Sequence, residues 1–404
     1  MRKANRLTAA IVAVPVGLAV LIVGAAPASA ADDFYTPPSP LPAGRPGDII
    51  RSEAGSFSAD VDKTAQVQRI MYLSRDMRDE PIAVTGTVLT PNTPWQGRDK
   101  RPVVAYAPGT HGLGDQCAPS KTLAGDEEYE GQFVLGLLGK GWGVVVTDYQ
   151  GLGPPGLHTY ANRKAEAHAV LDSIRAAQRL PAADLPQDGP VVIGGYSQGG
   201  GAAAAAAELQ DAYAPELELK GVYAGAPPAN LKALARFLDD SYAIGFGLFA
   251  VASFNYSYPD RDILGIFNEE GRKVLKQVET ECVVDALANH AELKTKDLIK
   301  DGRPFSAYLD TEPYNSVFGE QQIGLIKPAV PVLVAHSSQD DIVPYEQGKA
   351  MAQGWCNLGA TVQFKEIDPP SGHLPAMQKS FPVMLDWLTA RLDDAKVTNN
   401  CGSF

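Results

Sequence analysis

Ser197 sits in the setting that best suits a nucleophile. It is the centre of Gly195-Tyr196-Ser197-Gln198-Gly199, which follows the apolar run Pro190–Gly194 and opens an Ala-rich segment. A hydroxyl is presented at a strand-to-helix junction only if the turn is sharp. A sharp turn needs small residues on either side so that strand and helix can approach. Gly194, Gly195, Gly199, Gly200 and Gly201 supply that room. A serine nucleophile also needs a base to take its proton, and the base needs a carboxylate to hold its tautomer. Six histidines are present. His111, His158 and His168 precede Ser197, His290 lies in a strand-poor segment, and His336 ends a predicted strand beside the acid candidates. His373, in Pro369-Pro370-Ser371-Gly372-His373-Leu374-Pro375, alone follows the last predicted strand and precedes the last predicted helix.

The acid candidates are Asp340 and Asp341, just past the apolar run Pro331–Ala335. A carboxylate beyond the C-terminal end of a parallel strand shares a rim with a nucleophile placed at the end of its own strand. The spacing Asp340-x-Ile342-Val343-Pro344, common among hydrolases, favours Asp340 and leaves Asp341 as a solvated or loop-capping group. The oxyanion formed by serine attack needs backbone N–H donors. One is expected from Gln198. Another is expected from the loop Pro108-Gly109-Thr110-His111-Gly112, where Thr110 is preferred, His111 is next, and the His111 ring reads as a wall residue. The run Asp148-Tyr149-Gln150-Gly151-Leu152-Gly153 lacks the full pattern of a phosphate loop, so Asp148 reads as a structural hydrogen-bonder.

The elements that must position these groups alternate. Val67–Arg75 and Ile82–Leu89 predict a hairpin. Short apolar strands follow at Arg101–Ala107, Gly143–Asp148, Pro190–Gly194 and Leu219–Ala224. Helices are expected over Glu127–Leu138, Asn162–Leu180 and Gly199–Asp211. Fully apolar strands separated by helices imply a mostly parallel sheet covered on both faces, an α/β fold. From Pro227 to Ile326 no clear strand is found, and Val274, Leu275, Val278, Cys282 and Ala286 fall on one helical face. Alternation resumes at Pro331–Ala335, Thr361–Ile367 and Ala376–Leu392. Asp32–Pro46, rich in proline, reads as an extended arm.

Composition bounds the rest. The 404 residues are 45% hydrophobic and 20% charged, enough for a large core and unlike a disordered chain. A net charge of −12 disfavours a nucleic-acid partner. Arg2, Lys3 and Arg6 precede the uncharged stretch Leu7–Ala31, which contains Ala28-Ser29-Ala30. That pattern predicts a secretory signal peptide cut after Ala30 and an extracellular protein; Pro15 and Pro27 argue against a retained anchor. In an oxidising compartment Cys117, Cys282, Cys356 and Cys401 are expected to form two disulfides, with three connectivities open. Pairing Cys356 with Cys401 would tie down the polar tail Asn399–Phe404. Without CxxC or HExxH no zinc site is expected, and the chemistry above calls for no metal and no cofactor.

These pieces resemble the secretory lipase family of the α/β-hydrolase superfamily. The matching stretches are Leu41–Gly47, Gly109-Thr110, Cys117-Ala118-Pro119-Ser120, Asp148–Gly153, Gly195–Gly199, Asp340–Pro344 and Gly372-His373. The resemblance implies an α/β-hydrolase core with a mostly helical inserted cap that hosts an acyl pocket. It also implies the triad Ser197, Asp340 and His373, and the pairing Cys117–Cys282. Ser241–Pro259, uncharged and rich in aromatics, reads equally as an acyl-contacting wall and as the cap's own core; its glycines, Ser253 and Asn255 argue against a membrane span.

The expected organisation is therefore a signal peptide over 1–30, a hydrolase core over 31–226 and 327–404, and a helical cap over 227–326. The expected activity is serine-dependent hydrolysis of lipid or small esters, with transient contact at a lipid interface and no obligate protein partner. An acyltransferase or peptidase on the same triad is the alternative, and a non-catalytic binding module would be favoured only by a broken triad.

Overall fold

The computed structural model describes residues 33–58, 60–125 and 127–404, so the predicted signal peptide lies outside the described residues. Among the described residues nine strands form one sheet: β1 (Ile49–Ala54), β2 (Ala65–Arg75), β3 (Pro81–Pro91), β4 (Val103–Ala107), β5 (Gly143–Thr147), β6 (Val191–Tyr196), β7 (Leu219–Gly225), β8 (Val332–His336) and β9 (Val362–Glu366). Their spatial order is β1-β2-β3-β5-β4-β6-β7-β8-β9. β1, β2, β3 and β5 pair antiparallel in succession, and from β5 through β4 to β9 every pairing is parallel.

The parallel strands β4 to β8 are apolar because both their faces are covered. Val103 and Ala105 point into one core with Val170, Ile174 and Trp355, and Val104 and Tyr106 into the other with Phe133, Met384 and Trp387. Successive side chains alternate between faces, so a strand buried on both cannot alternate in polarity. The helices Arg163–Arg179, Gln198–Tyr213 and Tyr345–Asn357 supply the first cover, and Gly131–Leu138 and His373–Leu392 the second.

Three expectations need correction. β1 was not anticipated: its sequence Ile-Ile-Arg-Ser-Glu-Ala is a half-exposed edge with no apolar period. The arm begins with a 3-10 turn at Asp33–Tyr35, and Phe34 and Tyr35 pack against Met71. The single helical face from Val274 to Ala286 belongs to two helices, Glu269–Val278 and Val283–His290. The chain leaves the first helix because Leu113 N donates to the Glu281 carbonyl at 3.0 Å, drawing Glu281 and Cys282 toward the loop after β4.

Between β7 and β8 lie helices and 3-10 turns only, packed around Phe249, Phe254, Phe267, Phe305 and Phe318. Disulfides join Cys117 to Cys282 and Cys356 to Cys401. The second holds the tail against β9, where the Asn400 side chain accepts from Phe364 N at 2.8 Å and donates to its carbonyl at 2.9 Å. The tail thereby covers the open edge of the sheet.

The helix after β6 lies unusually close to the sheet. A Cβ on Gly199 would stand 2.0 Å from the Ala107 carbonyl oxygen, and one on Gly200 2.0 Å from that of Gly225. Ala202 to Ala207 continue this contact and are fully buried. Gly200→Ala should therefore lower stability by about 1–3 kcal/mol through overpacking, read as a fall in melting temperature. An unchanged melting temperature would mean that the helix can slide outward at no cost.

Candidate active site

The turn that holds Ser197 has the strain that a presented hydroxyl requires. Its φ is 59° and ψ −123°, an unfavourable region for a residue with a side chain. The strain is held by Ser197 N donating to the Gly225 carbonyl at 2.9 Å and by Gly201 N donating to the Ser197 carbonyl at 3.0 Å. A Cβ on Gly195 would stand 2.5 Å from the carbonyl oxygens of both Ala107 and Gly199, so the turn closes only with glycine there.

β8 ends at His336, and the loop beyond it brings Asp340, not Asp341, to the His373 ring. Asp340 Oδ1 accepts from the backbone N–H groups of Ile342 and Val343, at 3.0 and 2.7 Å. Its Oδ2 accepts from His373 Nδ1 at 2.7 Å. Burial opposes ionisation of Asp340, but hydrogen bonds from His336 and His373, with their charges, outweigh it and hold the carboxyl well below the usual carboxylate range. A carboxylate cannot donate, so Nδ1 carries the proton of this bond, and the neutral ring is the tautomer with its lone pair on Nε2. Asp341 does other work. It accepts from His373 N at 2.8 Å, at the start of the last helix, and from Tyr242 OH at 2.9 Å.

His373 opens the helix His373–Leu392, three residues earlier than expected. Its carbonyl accepts from Tyr196 OH at 2.9 Å and the two rings lie 5.0 Å apart, so the imidazole rests against the residue preceding Ser197. Among the described residues no hydrogen bond joins the Ser197 hydroxyl to the ring; the aspartate–histidine half of the arrangement is formed and the serine–histidine half is open. Such bonds commonly tighten only once substrate is bound.

Gln198 is the first residue of its helix. Its side chain donates to Glu166 Oε1 at 2.8 Å and to His158 Nε2 at 3.0 Å, while His158 Nδ1 donates to the Gln150 carbonyl at 3.0 Å. Burial pulls His158 down to about 4, so its ring is neutral. Burial also pushes Glu166 up to about 8, against the pull of Gln198 and of Ala161 N. Sequence reasoning missed both residues. Thr110 lies in the loop after β4, its hydroxyl 3.0 Å from Tyr160 OH. His111 is no second base. Its Nδ1 donates to the Gly109 carbonyl at 2.9 Å and its Nε2 to Glu128 at 2.8 Å. Burial opposes its charge, but Glu128 outweighs that and raises the ring to about 9. Glu130 lies close enough to complete a three-ligand cation site, but the doubly protonated ring offers no lone pair and the group is held as an ion pair. Asp148 accepts from Ser120 N at 2.7 Å and Thr85 Oγ1 at 2.6 Å, the structural role expected of it.

An apolar crevice starts beside Gln198 and Glu166 and runs between the helices after β7. Leu231, Ala235, Phe246, Leu248, Phe267 and Phe318 line it. The uncharged stretch thus both lines the crevice and fills a core: Phe246 and Leu248 reach the crevice, and Phe249 and Phe254 are buried in the aromatic cluster.

Residues 118–400 match the family model described as secretory lipase. The chain belongs to the secretory lipase family. A relative in Mycobacterium tuberculosis named "Probable inactive lipase MT1628" is 30% identical over 91% of this chain and 83% of its own. The secreted triacylglycerol lipase LIP5 of Malassezia globosa is 26% identical over 92% and 80%. The structure of Candida antarctica lipase A superposes with a TM-score of 0.81 at 24% identity, covering 92% of this chain and 88% of that one. The fold is thus that of the α/β-hydrolases, and the family is one of ester hydrolases.

Two outcomes follow for this secretory lipase. Asp340→Asn should cut ester turnover by about 10³–10⁴-fold, and Asp341→Asn far less, measured as kcat on a soluble ester; equal losses would show that the acid role is shared. The second concerns Glu166. Folded, it keeps its proton up to about pH 8, whereas an unfolded glutamic acid loses it near 4.5. Rising pH between those values therefore favours the unfolded chain. Glu166→Gln, which imitates the protonated form, should lose less thermal stability than the parent between about pH 5 and about pH 8. Identical profiles would mean that Glu166 is ionised in the fold.

Proposed function

We propose that the protein is an extracellular serine ester hydrolase that works through an acyl-enzyme on Ser197. The observation that carries this reading is the bond from His373 Nδ1 to the buried Asp340 carboxylate, beside a serine on a strained strand-to-helix turn. With its proton on Nδ1, the ring offers Nε2 to the Ser197 hydroxyl. The serine oxygen attacks the ester carbonyl as its proton passes to Nε2, and Asp340 stabilises the imidazolium. The N–H groups of Gln198 and Thr110 receive the oxyanion. His373 then protonates the departing alcohol. A water molecule, giving its proton to the same nitrogen, attacks the acyl group and releases the acid.

The substrates are lipid or small esters. The apolar crevice beside Gln198 supports an acyl pocket, built by a cap over residues 227–326 inserted between core segments 31–226 and 327–404. The relative named a triacylglycerol lipase supports fatty-acyl esters. Tyr242 and Leu374, next to the aspartate–histidine pair and about half exposed, support transient contact with a lipid surface. Secretion with cleavage after Ala30 is supported by the basic and apolar start of the chain, and an oxidising destination by the two disulfides.

Ser197→Ala should fold normally, with the parent's melting temperature within a few degrees. It should lose p-nitrophenyl ester hydrolysis by about 10⁴-fold or more and fail to react with a fluorophosphonate probe. A fully labelled variant would refute the assignment.

A further inference from the structure

On the ester-hydrolase reading above, we propose that Glu130, Tyr129 and His111 are positioning residues for the oxyanion site, holding the loop Pro108–Gly112 as a cradle of free N–H groups. The carbonyls from Pro108 to His111 are all occupied. Tyr149 OH donates to that of Pro108 at 2.9 Å, His111 Nδ1 to that of Gly109 at 2.9 Å, and Tyr129 OH to that of Thr110 at 3.1 Å. The carbonyl of His111 accepts from Val283 N, across from the cap, at 2.8 Å. Glu130 takes the Gly109 N–H on Oε2 at 2.7 Å and Tyr106 OH on Oε1 at 2.8 Å.

The N–H groups of Thr110 and His111 are different. Among the described residues neither is bonded to a protein acceptor, although both residues are buried, with 5% exposure each. Successive buried N–H groups whose carbonyls are tied elsewhere attract an anion. The anion concerned is set by position. The loop continues β4, whose Ala107 pairs with Gly195, and a Cβ on Gly199 would stand 2.0 Å from the Ala107 carbonyl oxygen and 2.9 Å from that of Pro108. The cradle therefore abuts the turn that bears Ser197.

Its supports are themselves fixed. Glu128 holds the His111 ring and also accepts from Glu130 N at 3.0 Å, which seats the next carboxylate. Gly109 is required by this packing, since a Cβ there would stand 2.7 Å from Tyr129 OH and 3.3 Å from Glu130 Oε1. Glu130→Gln leaves one acceptor oxygen for two donors, and Tyr129→Phe removes one carbonyl anchor at almost constant volume.

The test uses the full chain with active sites counted by exhaustive fluorophosphonate labelling. For a short p-nitrophenyl ester, kcat per labelled site should fall about 10–100-fold in Glu130→Gln and about 10-fold in Tyr129→Phe, with KM unchanged. The inhibition constant of a trifluoromethyl ketone, which forms a tetrahedral oxyanion on serine, should rise in proportion to the loss in kcat/KM. Unchanged kcat per site and unchanged ketone affinity in a Tyr129→Phe variant with the parent's melting temperature would overturn the proposal. Failure of the parent protein to label at Ser197 would instead fell the ester-hydrolase reading, and this one with it.

Discussion

The structure depends on one steric constraint, the approach of the helix Gln198–Tyr213 to the backbones of β4 and β7. At Gly199 and Gly200 a single added carbon would stand 2.0 Å from a carbonyl oxygen. That closeness has two results. It forces the strained turn at Ser197, because the chain must reverse within a residue to pass from β6 into a helix lying so near the sheet. It also sets the start of that helix against the loop after β4, where Gly199 meets the carbonyls of Ala107 and Pro108. The Ala run is a consequence, since larger side chains would push the helix off the strands it covers.

Around this contact the polar groups are buried in matched sets. Asp340 holds the His373 ring while Asp341 holds the backbone of the same residue. Glu166 and His158 hold Gln198, and Glu130, with the His111–Glu128 pair, holds the β4 loop. Apart from the exposed Asp341, each group is nearly removed from water and needs its partner, and the geometry of the site is over-determined as a result.

The juxtaposition of Asp340 with His373, and the sharp turn at Ser197, were legible in the sequence because each residue is announced by its neighbours. Ser197 is framed by glycines, His373 lies between the last strand and helix, and Asp340 follows the apolar run ending at Ala335. The parallel strands were legible because burial on both faces writes an unbroken apolar run. β1 was not, because an edge strand of Ile-Ile-Arg-Ser-Glu-Ala carries no such run. Glu130, Glu166 and His158 were invisible for a different reason. Nothing near them in the chain distinguishes them from surface charges, and their roles arise only when distant segments enclose them. The break between Glu269–Val278 and Val283–His290 was hidden likewise, since it is made by Leu113, far away in sequence.

The Cys117–Cys282 bond, supported by the bridge between Gly112 and Cys282, fastens the helical segment between β7 and β8, near its middle, to the loop after β4. A segment anchored at both ends and at an interior point cannot swing as one rigid door. Cys282 parts it into two stretches that pack on one another in a shared aromatic cluster. Phe246 and Leu248 line the crevice from the first, and Phe318 from the second. The crevice is thus walled from both sides of a covalent tie to the loop after β4.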